Sequence, residues 1–148
     1  MRQAGPRRTG TVLAFDFGER RMGVAVREFE LALAHPLETV HAASDSERLQ
    51  SIERLLREWR PVALVVGLPT HLDGREHELS RRCRNFARRL RARFGIDTYL
   101  TDERLTSHSA GLALADAGIR GRRQKDMLDQ VAAQHILEAY FAGCHEAA

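Results

Sequence analysis

Lysine is almost missing from this chain: of 23 basic residues, Lys125 is the single lysine and the other 22 are arginine. Arginine's planar guanidinium suits bidentate phosphate contacts. A GC-rich genome also enriches arginine codons, so placement matters more than number. Cysteine is nearly as scarce. Cys83 and Cys144 are too few for the disulfide framework of a small secreted domain. Cys83 falls on the apolar side of an expected helix and Cys144 near the C-terminus, and both read as bystanders rather than metal ligands. No Cys/His cluster has zinc spacing; His71, His77 and His108 read as surface or rim residues. The longest apolar run, around Val62 to Val66, falls far short of the roughly 20 residues that span a bilayer. No apolar signal core follows the basic stretch Met1 to Arg8. The expectation is a soluble, cytoplasmic protein.

What is present is an ordinary globular balance. The 148 residues are 43% hydrophobic and 29% charged, which fits one domain with a real core and argues against a disordered chain. Residues 1–10 read as a flexible tail, 11–142 as the domain and 143–148 as a C-terminal tail. Thr11 to Phe15 is a short apolar run, read as a buried strand. A glycine-bounded polar turn follows, and Gly23 to Val26 pairs back as a hairpin. Residues 31–40, with Pro36 inside, suit an edge strand. Ser44 and Glu47 form a capping box for a helix whose apolar positions are Leu49, Ile52, Leu56 and Trp59, and Pro61 stops it. Pro61 to Gly67 reads as a strand covered on both faces. The chain continues with a loop over 68–74, a helix over 76–94 and a fifth strand over 96–100. A helix over 106–117, a basic loop over 119–125 and a last helix over 126–142 complete it. The order predicts an α/β fold: a five-stranded mixed sheet, three strands in a meander, flanked by helices.

Three places put a carboxylate where an inert fold has little use for one. Asp16 ends an apolar strand; a turn-starting aspartate would look the same. Asp102 and Glu103 end the fifth strand, a position that also suits an acid pair before a helix. Asp129 is the sharpest. On the last helix Leu128, Ala132, Ile136 and Ala139 share a stripe, and Asp129 lies inside that arc beside Ala133 and Tyr140. A carboxylate turned inward needs a cation, a donor network or a metal; Asp126, one turn earlier, lies at the edge of the arc. If strands one, four and five are neighbours, the acid-bearing ends of strands one and five open on the same edge, and the last helix can lay Asp129 across them. Convergent carboxylates repel unless a divalent cation neutralises them, and oxygen-only donors suit Mg²⁺ or Mn²⁺.

The arginines gather as well. Seven of them (81, 82, 84, 88, 89, 91 and 93) spread over one arc of the 76–94 helix with no acid between Arg81 and Arg93. The opposite arc carries Leu79, Cys83, Phe86, Ala87, Leu90 and Phe94. This is a solvated helix face or a field of one sign that attracts a polyanion. Arg120, Arg122, Arg123 and Lys125 lead into the Asp129 helix. Phosphate-contacting arginines beside an acid cluster point to phosphodiester chemistry.

Four segments carry a resemblance to a known family. They are Leu13-Ala14-Phe15-Asp16-Phe17-Gly18 with Arg21 to Val26; Val65-Val66-Gly67-Leu68-Pro69 with Asp73-Gly74; Asp102-Glu103-Arg104-Leu105-Thr106-Ser107; and Lys125 with Asp129 and Ala132-Ala133. Over about residues 11–142 the sequence resembles the YqgF/RuvX family, relatives of the RuvC resolvases in the ribonuclease H-like superfamily. It departs at Thr70-His71-Leu72, where the family has an Asn-containing segment, and at Gln130, where it has a serine. The resemblance implies a ribonuclease H-like fold and a metal-dependent nuclease that processes the 5′ end of precursor 16S ribosomal RNA. By motif match, the resemblance implies Asp16, Glu103 and Asp129 as the catalytic and metal-binding acids, with Asp102 as a helper and two Mg²⁺ or Mn²⁺ ions. Arg20, Arg21, Arg81, Arg88, Arg104, Arg122, Arg123 and Lys125 are the expected nucleic-acid contacts. The expected partners are precursor rRNA or structured DNA and the assembling small ribosomal subunit, with the chain a monomer or homodimer. The alternatives are a Holliday-junction resolvase and a non-catalytic nucleic-acid-binding factor. A sugar-kinase or actin-like ATPase shares the Asp-x-Gly turn but needs two such domains.

Overall fold

The computed structural model describes residues 9–69, 78–102 and 121–148, apart from the side chain of Arg122. Strands β1 (Thr11–Asp16), β2 (Arg21–Glu28) and β3 (His35–His41) form an antiparallel meander in which Asp16 faces Gly23 across the β1–β2 pair. The β2–β3 register shifts at Val24/Ala25, beside the partner position of Pro36, whose missing N–H breaks the ladder. After these come α1 (Asp45–Trp59), β4 (Ala63–Leu68), α2 (Glu78–Phe94), β5 (Asp97–Asp102), α3 (Gly121–Phe141) and β6 (Glu146–Ala147). The sheet order is β3-β2-β1-β4-β5-β6, with β1, β4 and β5 parallel. The C-terminal ends of these three strands therefore open on one edge, as expected.

Side-chain alternation divides the sheet into two cores. Leu13, Phe15, Val24, Leu64, Val66 and Leu100 face α1 and α2 with Ile52, Leu55, Phe86 and Leu90. Val12, Ala14, Ala25, Ala63 and Val65 face α3 with Ala133, Ile136, Leu137 and Tyr140. β1 and β4 are covered on both sides, which is why they read as unbroken apolar runs. The Ser44 hydroxyl accepts from Glu47 N–H at 3.2 Å, as the capping box predicts; Glu47 Oε2 accepts in return from Ala43 N–H at 2.8 Å.

The structure departs from the sequence expectations in three places. The sheet has six strands, not five, because residues 146–147, expected as a tail, pair with β5. Arg84 holds Glu146 at 3.0 Å. Two terminal residues carry no alternation to read; the open edge of β5 recruits them. Residues 121–125, expected as a basic loop, are the first turn of α3. Arginine, glutamine and lysine are good helix formers, but this turn has no apolar residue to show a period. The fully buried side of α1 is made by Arg48, Ile52 and Leu55, of which the spacing gave only Ile52, while the expected Leu49, Leu56 and Trp59 pack partly buried against the same core. Residues 1–8, the loop over 70–74 and the helix over 106–117 lie outside the described residues. Among those described, no helix is long and apolar enough to cross a membrane.

Candidate active site

A cleft of about 990 Å³ opens at the C-terminal edge of β1. Asp16, the β1–β2 turn, the end of β3 and the first turns of α3 line it, and Asp129 faces into it. Three features of the fold bring the two aspartates together. First, Val12 and Ala14 pack in the α3 core, so alternation along β1 turns Asp16 toward α3. Second, Gly23, directly across from Asp16, lies against the backbone of Asp129: a Cβ there would stand 2.8 Å from the Asp129 Cβ and closer still to its carbonyl. The missing side chain lets α3 descend onto the sheet at the acid. Third, α3 is pinned to β3 by polar bonds. Thr39 Oγ1 donates to the Asp126 carbonyl at 2.7 Å, and Gln130 Nε2 donates to Thr39 Oγ1 at 3.1 Å. Gln130, the departure from the family pattern, is thus a docking residue.

The charges in the cleft form an array. Arg21 and His41, register partners on β2 and β3, face Asp129 and Asp126, one turn apart on α3. Arg21 Nε lies 3.0 Å from Asp129 Oδ2, and His41 Nε2 lies 3.1 Å from Asp126 Oδ1. Both carboxylate oxygens are buried, and neither contact is directed well enough to count as a hydrogen bond to them. Burial pushes the Asp129 carboxyl above its ordinary pKa; Arg21 opposes this and the Asp126 charge adds to it. The net upward direction means that desolvation outweighs the ion pair.

The turn after Asp16 is held from below by Arg48, a residue that sequence reading missed. Arg48 is only 4% exposed. Its Nη2 donates to the carbonyls of Gly18, at 3.0 Å, and Glu19; its Nη1 donates to Asp45 at 2.6 Å; its guanidinium sits over the Phe17 ring. The available signal was its spacing with Ile52 and Leu55, which puts an arginine on the buried stripe of α1. His41 carried no local signal, because its partner lies 85 residues away.

The other assigned residues are distributed unevenly. Arg20, Arg21 and Lys125 line the cleft with the two aspartates. Arg123 is exposed on the first turn of α3. Glu103 and Arg104 lie outside the described residues, as do His71, His77 and His108. Asp102 is exposed at the end of β5. Since Tyr99 packs toward α3 and Leu100 toward α1 and α2, alternation puts Asp102 on the face opposite Asp16 and Asp129. On α2, of the two readings the sequence allowed, an unbroken one-sign field does not hold. Arg82 pairs with Glu19, Arg84 with Glu146 at 3.0 Å, and Arg89 with Asp45 at 3.2 Å; Arg91 donates to the Ala148 carbonyl at 3.0 Å. Arg82 holds the Glu19 carboxyl below its ordinary value, and Arg89 does the same for Asp45. These acids come from other elements, so the helix sequence could not reveal them. Arg81 and Arg88 are exposed, and among the described residues neither has an acidic partner.

Comparisons with known proteins place this site in context. A family model described as RuvX, Holliday junction resolvase, matches residues 10–143. A protein of Nitrosospira multiformis named "Putative pre-16S rRNA nuclease" is 64% identical over 132 residues, covering 89% of this chain and 87% of its own. One of the same name from Nitrosomonas europaea is 53% identical over 139 residues, covering 94% of each. Among solved structures, Thermus thermophilus RuvC aligns with a TM-score of 0.55 at 18% identity, covering 93% of this chain and 99% of that one. RuvC from the same organism in complex with Holliday junction substrate aligns equally well. That likeness confirms the ribonuclease H-like fold.

Proposed function

This chain belongs to the RuvX family, and from that premise we propose that it hydrolyses phosphodiester bonds at the 5′ end of precursor 16S ribosomal RNA, in the cytoplasm and on the assembling small subunit. The carrying observation is that Asp16 and Asp129 share one cleft with Arg20, Arg21 and Lys125. Acids and bases so gathered suit a phosphodiester held by its charges next to oxygen ligands.

The donor set fits a hard divalent cation. It is made of carboxylate oxygens, and Asp129 Oδ2 is buried without a hydrogen bond. Among the described residues no group of three or more His, Cys, Asp or Glu side chains could hold a metal ion. Asp16 and Asp129 would therefore hold Mg²⁺ or Mn²⁺ together with Glu103, which the motif match supplies. When bound, such ions neutralise the attacking and leaving oxygens and acidify a water. The chain's own residues do the rest. Arg20, Arg21 and Lys125 neutralise and orient the phosphates, and Arg104, Arg122 and Arg123 serve as further phosphate contacts. Arg48 holds the turn that carries Asp16 in shape, and Gly23 sets the height of Asp129 above the sheet. Arg81 and Arg88 contact more distant phosphates. Asp102, on the far face, is at most a helper.

The test is a side-by-side incubation of purified protein, with Mg²⁺ or Mn²⁺, with a precursor 5′ leader RNA and a four-way DNA junction. The expected result is metal-dependent cleavage of the RNA, lost in Asp16→Asn and Asp129→Asn. Symmetric nicking of the junction instead would favour the second reading, a resolvase, which the description of the matching family supports and which needs two paired active sites. Binding without cleavage of either would mark a non-catalytic factor.

A further inference from the structure

Two basic side chains stand against two acids of α3, and the pairs are not equivalent. His41 is engaged with both oxygens of Asp126, at 3.1 and 3.3 Å. Arg21 approaches Asp129 through Nε, 3.0 Å from Oδ2. The Arg21 side chain is 38% exposed and that of Asp129 15%. The acid is the fixed partner, held by the close approach of α3 at Gly23. The arginine is the more solvent-accessible partner, reaching in from the first residue of β2. Among the described residues this guanidinium is the basic group paired with Asp129 Oδ2.

We infer that Arg21 is the resting counter-charge of Asp129 and gives way when a divalent cation binds that carboxylate, which frees the guanidinium for a substrate phosphate. This rests on the reading of Asp129 as a cation ligand. The exchange keeps a buried carboxylate compensated before the cation arrives. Afterwards it couples the two binding events, because each cation bound delivers an arginine to the phosphate side of the cleft. It also makes the apparent cation affinity a difference of two terms, and removal of the arginine should expose the full one.

The test is Mn²⁺ binding to the metal-free protein without nucleic acid, read by the electron paramagnetic resonance of free Mn²⁺. Arg21→Gln should bind about fivefold tighter than wild type, the equilibrium equivalent of a partly exposed ion pair. Asp129→Asn should bind at least about tenfold more weakly, since one charged ligand is gone. If Arg21→Gln binds no tighter while Asp129→Asn is weakened, the exchange is overturned and the ligand assignment stands. If Asp129→Asn binds as wild type does, the ligand assignment itself fails. A measurement on the unaltered chain guards against a misfolded variant. The ¹⁵N resonance of Arg21 Nε should move toward that of a solvent-exposed arginine as Mg²⁺ is added, and a resonance unmoved at saturating Mg²⁺ overturns the exchange.

Discussion

Replacing Gly23 by alanine adds one methyl group to a strand and should still disable the enzyme. The new Cβ would stand 2.8 Å from the Asp129 Cβ and nearer to its carbonyl. Carbon contacts settle at about 3.5–4.0 Å, so the helix must withdraw by on the order of 1 Å. Backbone is met on both sides, and no flexible side-chain tip can yield. Overpacking of this kind costs about 1–3 kcal/mol, which for a chain of this length lowers Tm by roughly 3–4 °C per kcal/mol. The effect on rate should be larger than the effect on stability. Gly23 is the register partner of Asp16, so withdrawal of α3 changes the separation of the two acids directly. A displacement of that size costs about 100-fold in rate. Thermal denaturation followed by circular dichroism gives the first quantity, and cleavage of a precursor 5′ leader RNA well below the new Tm gives the second. Wild-type Tm would refute the steric argument. Lowered Tm with a wild-type rate would refute the claim that this contact positions Asp129.

Other perturbations separate stability from function. Asp129→Asn should raise Tm at neutral pH without divalent metal while abolishing cleavage. Burial lifts the folded carboxyl pKa above its ordinary value of 3.8, so folding favours the protonated form. The wild-type chain therefore loses stability as pH rises from the unfolded toward the folded pKa. The difference between the two proteins should vanish near pH 3 and open above it, and a difference unchanged between pH 3 and 7 would sink this account. Arg48→Leu should destabilise by about 2–3 kcal/mol in urea unfolding, because the Gly18 and Glu19 carbonyls lose a charged donor in a buried place; a cost below about 0.5 kcal/mol would show the turn to be self-supporting. Arg88→Ala should lower the salt dependence of RNA binding by about one unit of log K against log [salt]. Arg89→Ala should change it less, because Asp45 already engages that guanidinium; equal slopes for the two variants would contradict the division of α2 drawn here.

Much of this was legible in the chain. The apolar run Thr11 to Phe15, the capping box at Ser44 and the period of the last helix each rest on neighbours a few residues apart, where backbone geometry alone ties sequence to structure. Asp129 was readable for the same reason: an acid inside an apolar stripe declares itself by spacing. Neutralisation of the α2 arginines was not readable, since Glu19, Asp45 and Glu146 reach them from three other elements. Nor was the sixth strand, two residues that become a strand only because β5 has an open edge. The weight of Gly23 could not be seen either, because a glycine after a turn has ordinary reasons to be there, and only the descent of α3, more than a hundred residues later in the chain, makes a methyl group at that point costly. Local spacing determined which residues were unusual. Tertiary structure decided which charges meet, because pairing is set by distance through space, and packing of α3 on the sheet sets that distance.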